Sequence, residues 1–179
     1  MAKAMLQIFA ALLVLSATAK AQTNNAATNF AATYISGDQI QSTTKELQAV
    51  TKGLSFHIVD VGDANVGIAI QHRLKLEPGG MAGPIMHTDV TEVYIVQKGS
   101  ATLATGGTMT DQSPMKAGSE EGTGPGFRGK VAKPNAVQDI KAGDVVLIPK
   151  NTPHWFTAIP EDLTYLVVRI DPSKTTGVK

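Results

Sequence analysis

Cysteine is absent from all 179 residues. That excludes disulfides, thiolate metal sites and a lipid-bearing N-terminal cysteine, and it leaves His, Asp and Glu as the side chains able to hold a metal ion. Histidine is itself sparse, at four residues, so an imidazole site must draw on His57, His72, His87 and His154. Charge of one sign is also lacking: 16 Lys and Arg stand against 15 Asp and Glu, a net charge of +1. The cations are scattered and no basic stripe interleaves with aromatics, so no nucleic-acid partner is expected. Long apolar runs are missing after the first residues, and nothing later in the chain is long enough to span a bilayer.

The N-terminus is where such a run does occur. Lys3 precedes the apolar stretch Leu6 to Leu15, and small residues ending in Ala19-Lys20-Ala21 follow. This is the layout of a secretory signal peptide over residues 1–21, cleaved before Gln22, and the stretch is too short to serve comfortably as a retained anchor. A periplasmic or secreted protein is expected, with no membrane contact once the signal is removed. Residues 22–36 are small and polar and read as a loose leader. The remaining length and an apolar content of 42% suit one domain with a substantial core.

After the leader, Ser36 is placed to cap a helix, Gln39 stands at the capping-box position, and Ile35 with Ile40 has staple spacing. The segment 37–53 is therefore assigned to a short N-terminal helix ending near Val50, with Ile40 and Leu47 inward and Gly53 beyond its end. From Leu54 the period becomes that of strands: Leu54–Val61, Asn65–Arg73, a hairpin within Gly79–Gly99, Ala101–Thr105, Val137–Ile140, Val145–Ile148, His154–Ile159 and Leu163–Ile170. Alternation in Asn65–Arg73 puts Val66, Ile68, Ile70 and His72 on one face, taken as the inward one. Thr108 to Lys130, rich in glycine and aperiodic, reads as an exposed loop or lid. Many short strands broken by turns give an all-β barrel or sandwich over residues 54–172, with 173–179 as a tail. No internal repeat or heptad is visible, and Gly122–Gly126 lacks the strand-to-helix setting of a phosphate loop.

Chemistry-bearing residues gather around the turn Thr88–Thr91, with His87 on one side and Glu92 on the other. An imidazole and a carboxylate so placed suit metal binding or proton transfer. The wider pattern resembles the cupin superfamily. Gly79, His87, Glu92 and Gly99 are similar to the first cupin motif, in which Ile85 stands where the first histidine belongs. Gly143, Pro149 and His154 are similar to the second, with Asn151 at a glycine position and Ala158 at the final Asn. Asn enters left-handed backbone more readily than most residues, so that exchange is tolerable.

The resemblance implies a single cupin-type β-barrel, a double-stranded β-helix or jelly roll, with a short N-terminal helix. It also implies that His87, Glu92 and His154 hold a divalent metal (Fe, Mn or Zn) as a degenerate two-His, one-Glu set, one ligand being lost at Ile85. His72, and less well Asp89, could supply the missing ligand; His57 reads as incidental. Tyr94 shares strand parity with Glu92 and Phe156 with His154, so each lines the cavity or packs in the core. Trp155, of opposite parity, is expected under the helix or at a subunit contact; Arg128 and Arg169 could each reach an anionic substrate, with a solvated or salt-bridged surface role as the default for both. Two functions remain open: a metal-dependent oxygenase, isomerase or lyase acting on a small organic molecule, or a metal-free barrel that binds a small ligand without catalysis. The superfamily's habit of pairing barrels also makes a homodimer possible.

Overall fold

The computed structural model describes residues 31–47, 52–80, 83–115 and 123–178; the expected signal peptide and most of the expected leader lie outside them. Helix α1, Gly37–Leu47, begins as expected, with the Ser36 hydroxyl accepting the Gln39 amide at 3.1 Å. Leu47 is buried and Ile40 half-buried, while the expected helix end near Val50 lies outside the described residues. Strand β1, Lys52–Asp60, starts inside the segment assigned above to the helix.

Ten further strands follow: β2 (Asn65–Arg73), β3 (Ile85–His87), β4 (Thr91–Lys98), β5 (Ser100–Thr105), β6 (Met109–Pro114), β7 (Gly126–Val131), β8 (Ala136–Lys141), β9 (Val145–Ile148), β10 (His154–Ala158) and β11 (Leu163–Asp171). They form two antiparallel sheets, β1-β2-β11-β4-β9 and β6-β7-β3-β10-β5-β8, in a jelly roll. The all-β fold with one short helix is therefore as expected. The core between the sheets is built from alternate residues of facing strands, among them Tyr94, Val96, Leu103, Ile148, Phe156, Leu163, Tyr165 and Val167.

Three local expectations are corrected. The stretch Gly79–Gly99 is not a hairpin, because β3 pairs with β7 and β10 while β4 pairs with β11 and β9, so the turn at 88–90 crosses from one sheet to the other. The segment Thr108–Lys130 is not all loop, since its ends are the paired strands β6 and β7. The inward face of β2 is the other one. Gly67 and Ala69 lie opposite Arg169 and Val167, which in turn lie opposite Glu92 and Tyr94, so these residues share the barrel interior. Val66, Ile68, Ile70 and His72 face outward, on the side where α1 packs.

Gly99, the closing glycine of the first motif, holds φ at +81°, and a side chain there would land on the Asp162 carbonyl oxygen. The β4–β5 turn is thus tied to the start of β11, which helps fix the register that places Glu92.

Candidate metal centre

Glu92 projects from β4 in one sheet toward His87 on β3 and His154 on β10 in the other. One atom from each lies within 4.8 Å of the others, and all three residues are buried. The crossing turn accounts for this convergence: with four residues between them, His87 and Glu92 end up on facing walls of the barrel. Asn151 completes the frame. Its φ of 62° is left-handed, and its amide donates to the His87 carbonyl at 2.7 Å, joining the turn of the second motif to the strand of the first.

The tautomer of His154 follows from its neighbours. Nδ1 lies 3.0 Å from the Thr152 carbonyl, which can only accept, so Nδ1 carries the proton and Nε2 presents a lone pair. That bare nitrogen lies 3.3 Å from Glu92 Oε2 without a hydrogen bond, an arrangement that leaves two acceptors facing each other. His87 Nε2 lies 3.7 Å from Glu92 Oε1, and its Nδ1 has no partner either. A bare buried nitrogen facing a carboxylate, with a second imidazole in reach, fits a cation held between them.

The carboxylate has other partners. Arg169 Nε donates to Oε1 at 2.8 Å and the Tyr94 hydroxyl to Oε2 at 3.0 Å. Burial pushes the Glu92 carboxyl up, but a hydrogen bond from the His154 ring whenever that ring is protonated, together with the Arg169 guanidinium, outweighs it and holds the group well below the usual carboxylate range. Burial acts on the His87 ring in the other direction, lowering its pKa to about 4 against the opposing pull of Glu92. The Tyr94 hydroxyl is driven well above its ordinary range by burial and by the Glu92 charge.

These shifts give an expected pH dependence for the metal-free protein. Between about pH 6.5 and pH 4 the unfolded chain takes up a proton at residue 87 that the folded chain refuses, so stability falls across that window by up to about 3 kcal/mol. Glu92 adds a loss of the same sign below about pH 4.5, where the unfolded carboxyl protonates before the folded one. Denaturant titrations in chelator at pH 7 and pH 4.5 should show the drop, and His87→Asn should flatten its upper part. Equal stability at both values would contradict the buried neutral imidazole.

Of the other candidates, Ile85 lies directly opposite His154 and on the same face of β3 as His87, so an apolar side chain occupies the position where the resemblance puts a fourth ligand. His72 is not brought to the cluster. It is fully buried on the outer face, its Nδ1 3.0 Å from the Thr164 hydroxyl and its Nε2 3.9 Å from Asp162. Asp89 stays in the turn, accepting from the Thr88 hydroxyl at 2.8 Å. Tyr94 packs on Tyr165 at 4.6 Å as well as touching Glu92, and Phe156 meets Tyr165 edge-on at 5.8 Å as a core residue.

Trp155 is not under α1; it lines an outer groove of ≈ 480 Å³ with Gly79, Pro84 and Val131. Arg128 is exposed, as expected. Arg169 is the residue that sequence reasoning misplaced: it is salt-bridged, but to Glu92 in the interior at 4% exposed rather than at the surface. Its signal was available, because it keeps the parity of Leu163, Tyr165 and Val167 in a strand whose alternate residues are buried.

A family model described as Cupin matches residues 62–178. No curated protein matches the chain. Among solved structures, a Bacillus halodurans protein aligns at 13% identity over 82% of this chain and 88% of its own, with a TM-score of 0.48. A Klebsiella pneumoniae protein with a double-stranded β-helix domain aligns at 14% identity over 83% and 97%, with a TM-score of 0.43. A DMSP lyase of Ruegeria pomeroyi aligns at 15% identity over 70% of this chain and 50% of the lyase, with a TM-score of 0.40.

Proposed function

The chain belongs to the cupin family, and we propose that it is exported and holds one divalent ion, Fe, Mn or Zn, between His87, Glu92 and His154, leaving open positions for a small organic substrate. The observation that supports this reading is that one ligand atom each from the buried His87, Glu92 and His154 lies within 4.8 Å of the others, with His154 Nε2 beside Glu92 and without a hydrogen-bond partner. Such an ion, when bound, supplies Lewis acidity to an oxygen or carbonyl of the substrate, the chemistry of an oxygenase, isomerase or lyase. The chain's own residues orient the set. The Thr152 carbonyl fixes the His154 tautomer, Tyr94 and Arg169 hold both Glu92 oxygens, and Ile85 keeps one wall apolar.

Protein purified without a His tag is expected to carry close to one equivalent of metal, and His154→Ala to cut that to about a tenth or less. Chelator should lower the melting temperature, because a bound ion stabilises only the folded state. A low metal content that His154→Ala leaves unchanged would sink the reading. Export carries its own expectation: the mass of the processed chain should place its first residue at Gln22.

The second reading, a metal-free barrel that captures a small organic ligand, is favoured by the Arg169–Glu92 pair, which neutralises the one anionic group in the cluster. On that reading a melting temperature indifferent to chelator rises with ligand instead.

A further inference from the structure

Strand β4 carries one residue more than its partner near its C-terminal end. Val96 lies opposite Tyr165 and Lys98 opposite Thr164, so Gln97 is the extra residue of a β-bulge. Strict alternation would send Lys98, after Tyr94 and Val96, into the barrel. The bulge instead lets Gln97 and Lys98, consecutive in sequence, line one pocket on the outside of the sheet. Its other wall is α1, where Gln41, Thr44 and Lys45 share a face at helical spacing, and the two walls enclose ≈ 280 Å³ over Thr164.

No carboxylate lines this pocket. Lys45 enters none of the ion pairs among the described residues, and Lys98 meets Asp162 at 3.4 Å in an exposed pair of the kind that contributes little. The floor, by contrast, is interior. Thr164 is 1% exposed, and its hydroxyl lies 3.0 Å from Nδ1 of the fully buried His72. An imidazole that donates at Nδ1 frees the hydroxyl hydrogen to turn into the pocket.

We propose that this pocket binds a small hydroxylated phosphomonoester, its phosphate between the Lys45 and Lys98 ammonium groups and its hydroxyls on the Gln41 and Gln97 carboxamides. Two cations match the charge of about −1.5 to −2 that a phosphomonoester carries near neutral pH. Lysine meets phosphate as a mobile point charge, so two flexible side chains suffice. A carboxamide both donates and accepts, as a hydroxyl does. The space exceeds what a bare phosphate fills and stops short of drug-sized pockets, which suits a metabolite of a few carbons. The pocket lies across the sheet from Glu92, so the inference does not depend on the metal reading.

The test is calorimetric titration of the processed full-length chain, as purified and at low salt, with glycerol 3-phosphate as the probe. A Kd of about 1 mM or tighter is expected. Lys45→Gln with Lys98→Gln should weaken it at least about 10-fold, through loss of charge-assisted contacts. Both lysines are exposed, so the melting temperature should stay near wild type. Thr164→Val keeps the side-chain shape, removes the buried hydroxyl and should weaken binding several-fold, whereas Lys133→Gln, exposed and outside the pocket, should leave it unchanged. Glycerate, with a single charge, should bind at least about 10-fold more weakly than the phosphate ester. No binding at about 10 mM probe, an affinity that survives the double lysine change, or equal binding of glycerate overturns the proposal. So does displacement of the probe by phosphatidylglycerol vesicles, since the occupant would then be a lipid headgroup.

Discussion

Replacing Glu92 with leucine is expected to lower the stability of the metal-free protein by about 3–5 kcal/mol, because it strands the Arg169 guanidinium in the interior. Arg169 is 4% exposed and Glu92 2%, and the 2.8 Å contact between them is the one ion pair of an arginine with this carboxylate among the described residues. A surface pair of the same geometry would change stability by about 1 kcal/mol or less. The difference arises from the charge left behind, since a buried cation that loses its anion keeps the full cost of desolvation. In a chain of this size the loss should appear as a fall of roughly 10–15 °C in melting temperature. The second mutation decides the cause. Arg169→Met added to Glu92→Leu removes the stranded charge and should recover much of the loss, so the two changes are far from additive. Near-neutral behaviour of Glu92→Leu alone, measured in chelator, would show that the pair does not form in solution.

Arg169→Gln should have the opposite consequence for metal. A divalent ion held by Glu92 must share the carboxylate with a guanidinium bonded to the same group, and at an effective dielectric near 20 like charges about 5 Å apart repel by several kcal/mol. Glutamine removes that charge while keeping a donor that can still bond Glu92, so the carboxylate is not left bare. Binding of Zn(II) or Mn(II), measured by competition with a chromophoric chelator, should tighten by about 10- to 100-fold, the equivalent of about 1.4–2.8 kcal/mol. An unchanged affinity would mean that Arg169 does not tune the site, whereas no binding to either protein would count against the metal reading itself. The two failures are therefore separable.

The strands and the cluster were unequally legible in the chain. Motif spacing around His87, Glu92 and His154 was enough to bring them together, and the strand run from Leu163 was clear, because turn chemistry and interior parity agree there. Misreading came where both faces of a strand are covered. In β2 the barrel takes Gly67 and Ala69 while the outer face, where α1 packs, takes Ile68 and Ile70, so the larger side chains lie outside and alternation points the wrong way. Arg169 was misplaced because charge argues for solvent until a buried partner from a distant strand is known, and Glu92 lies 77 residues away. The join between β3 and β4 looked like a hairpin because a short polar turn between two strands does not reveal that the strands belong to different sheets.

Strand β11 lies in the middle of its sheet, paired with β2 on one side and β4 on the other, yet it is the final strand in chain order. Until it arrives, those two strands have no common neighbour, and the wall bearing Glu92 has no Arg169 behind it. Acquisition of the native state should consequently be late and dominated by distant pairings, a topology associated with slow folding. Under the export proposed above, such delay is an advantage, since a chain threaded through a translocation channel before it folds cannot close prematurely from its N-terminal half.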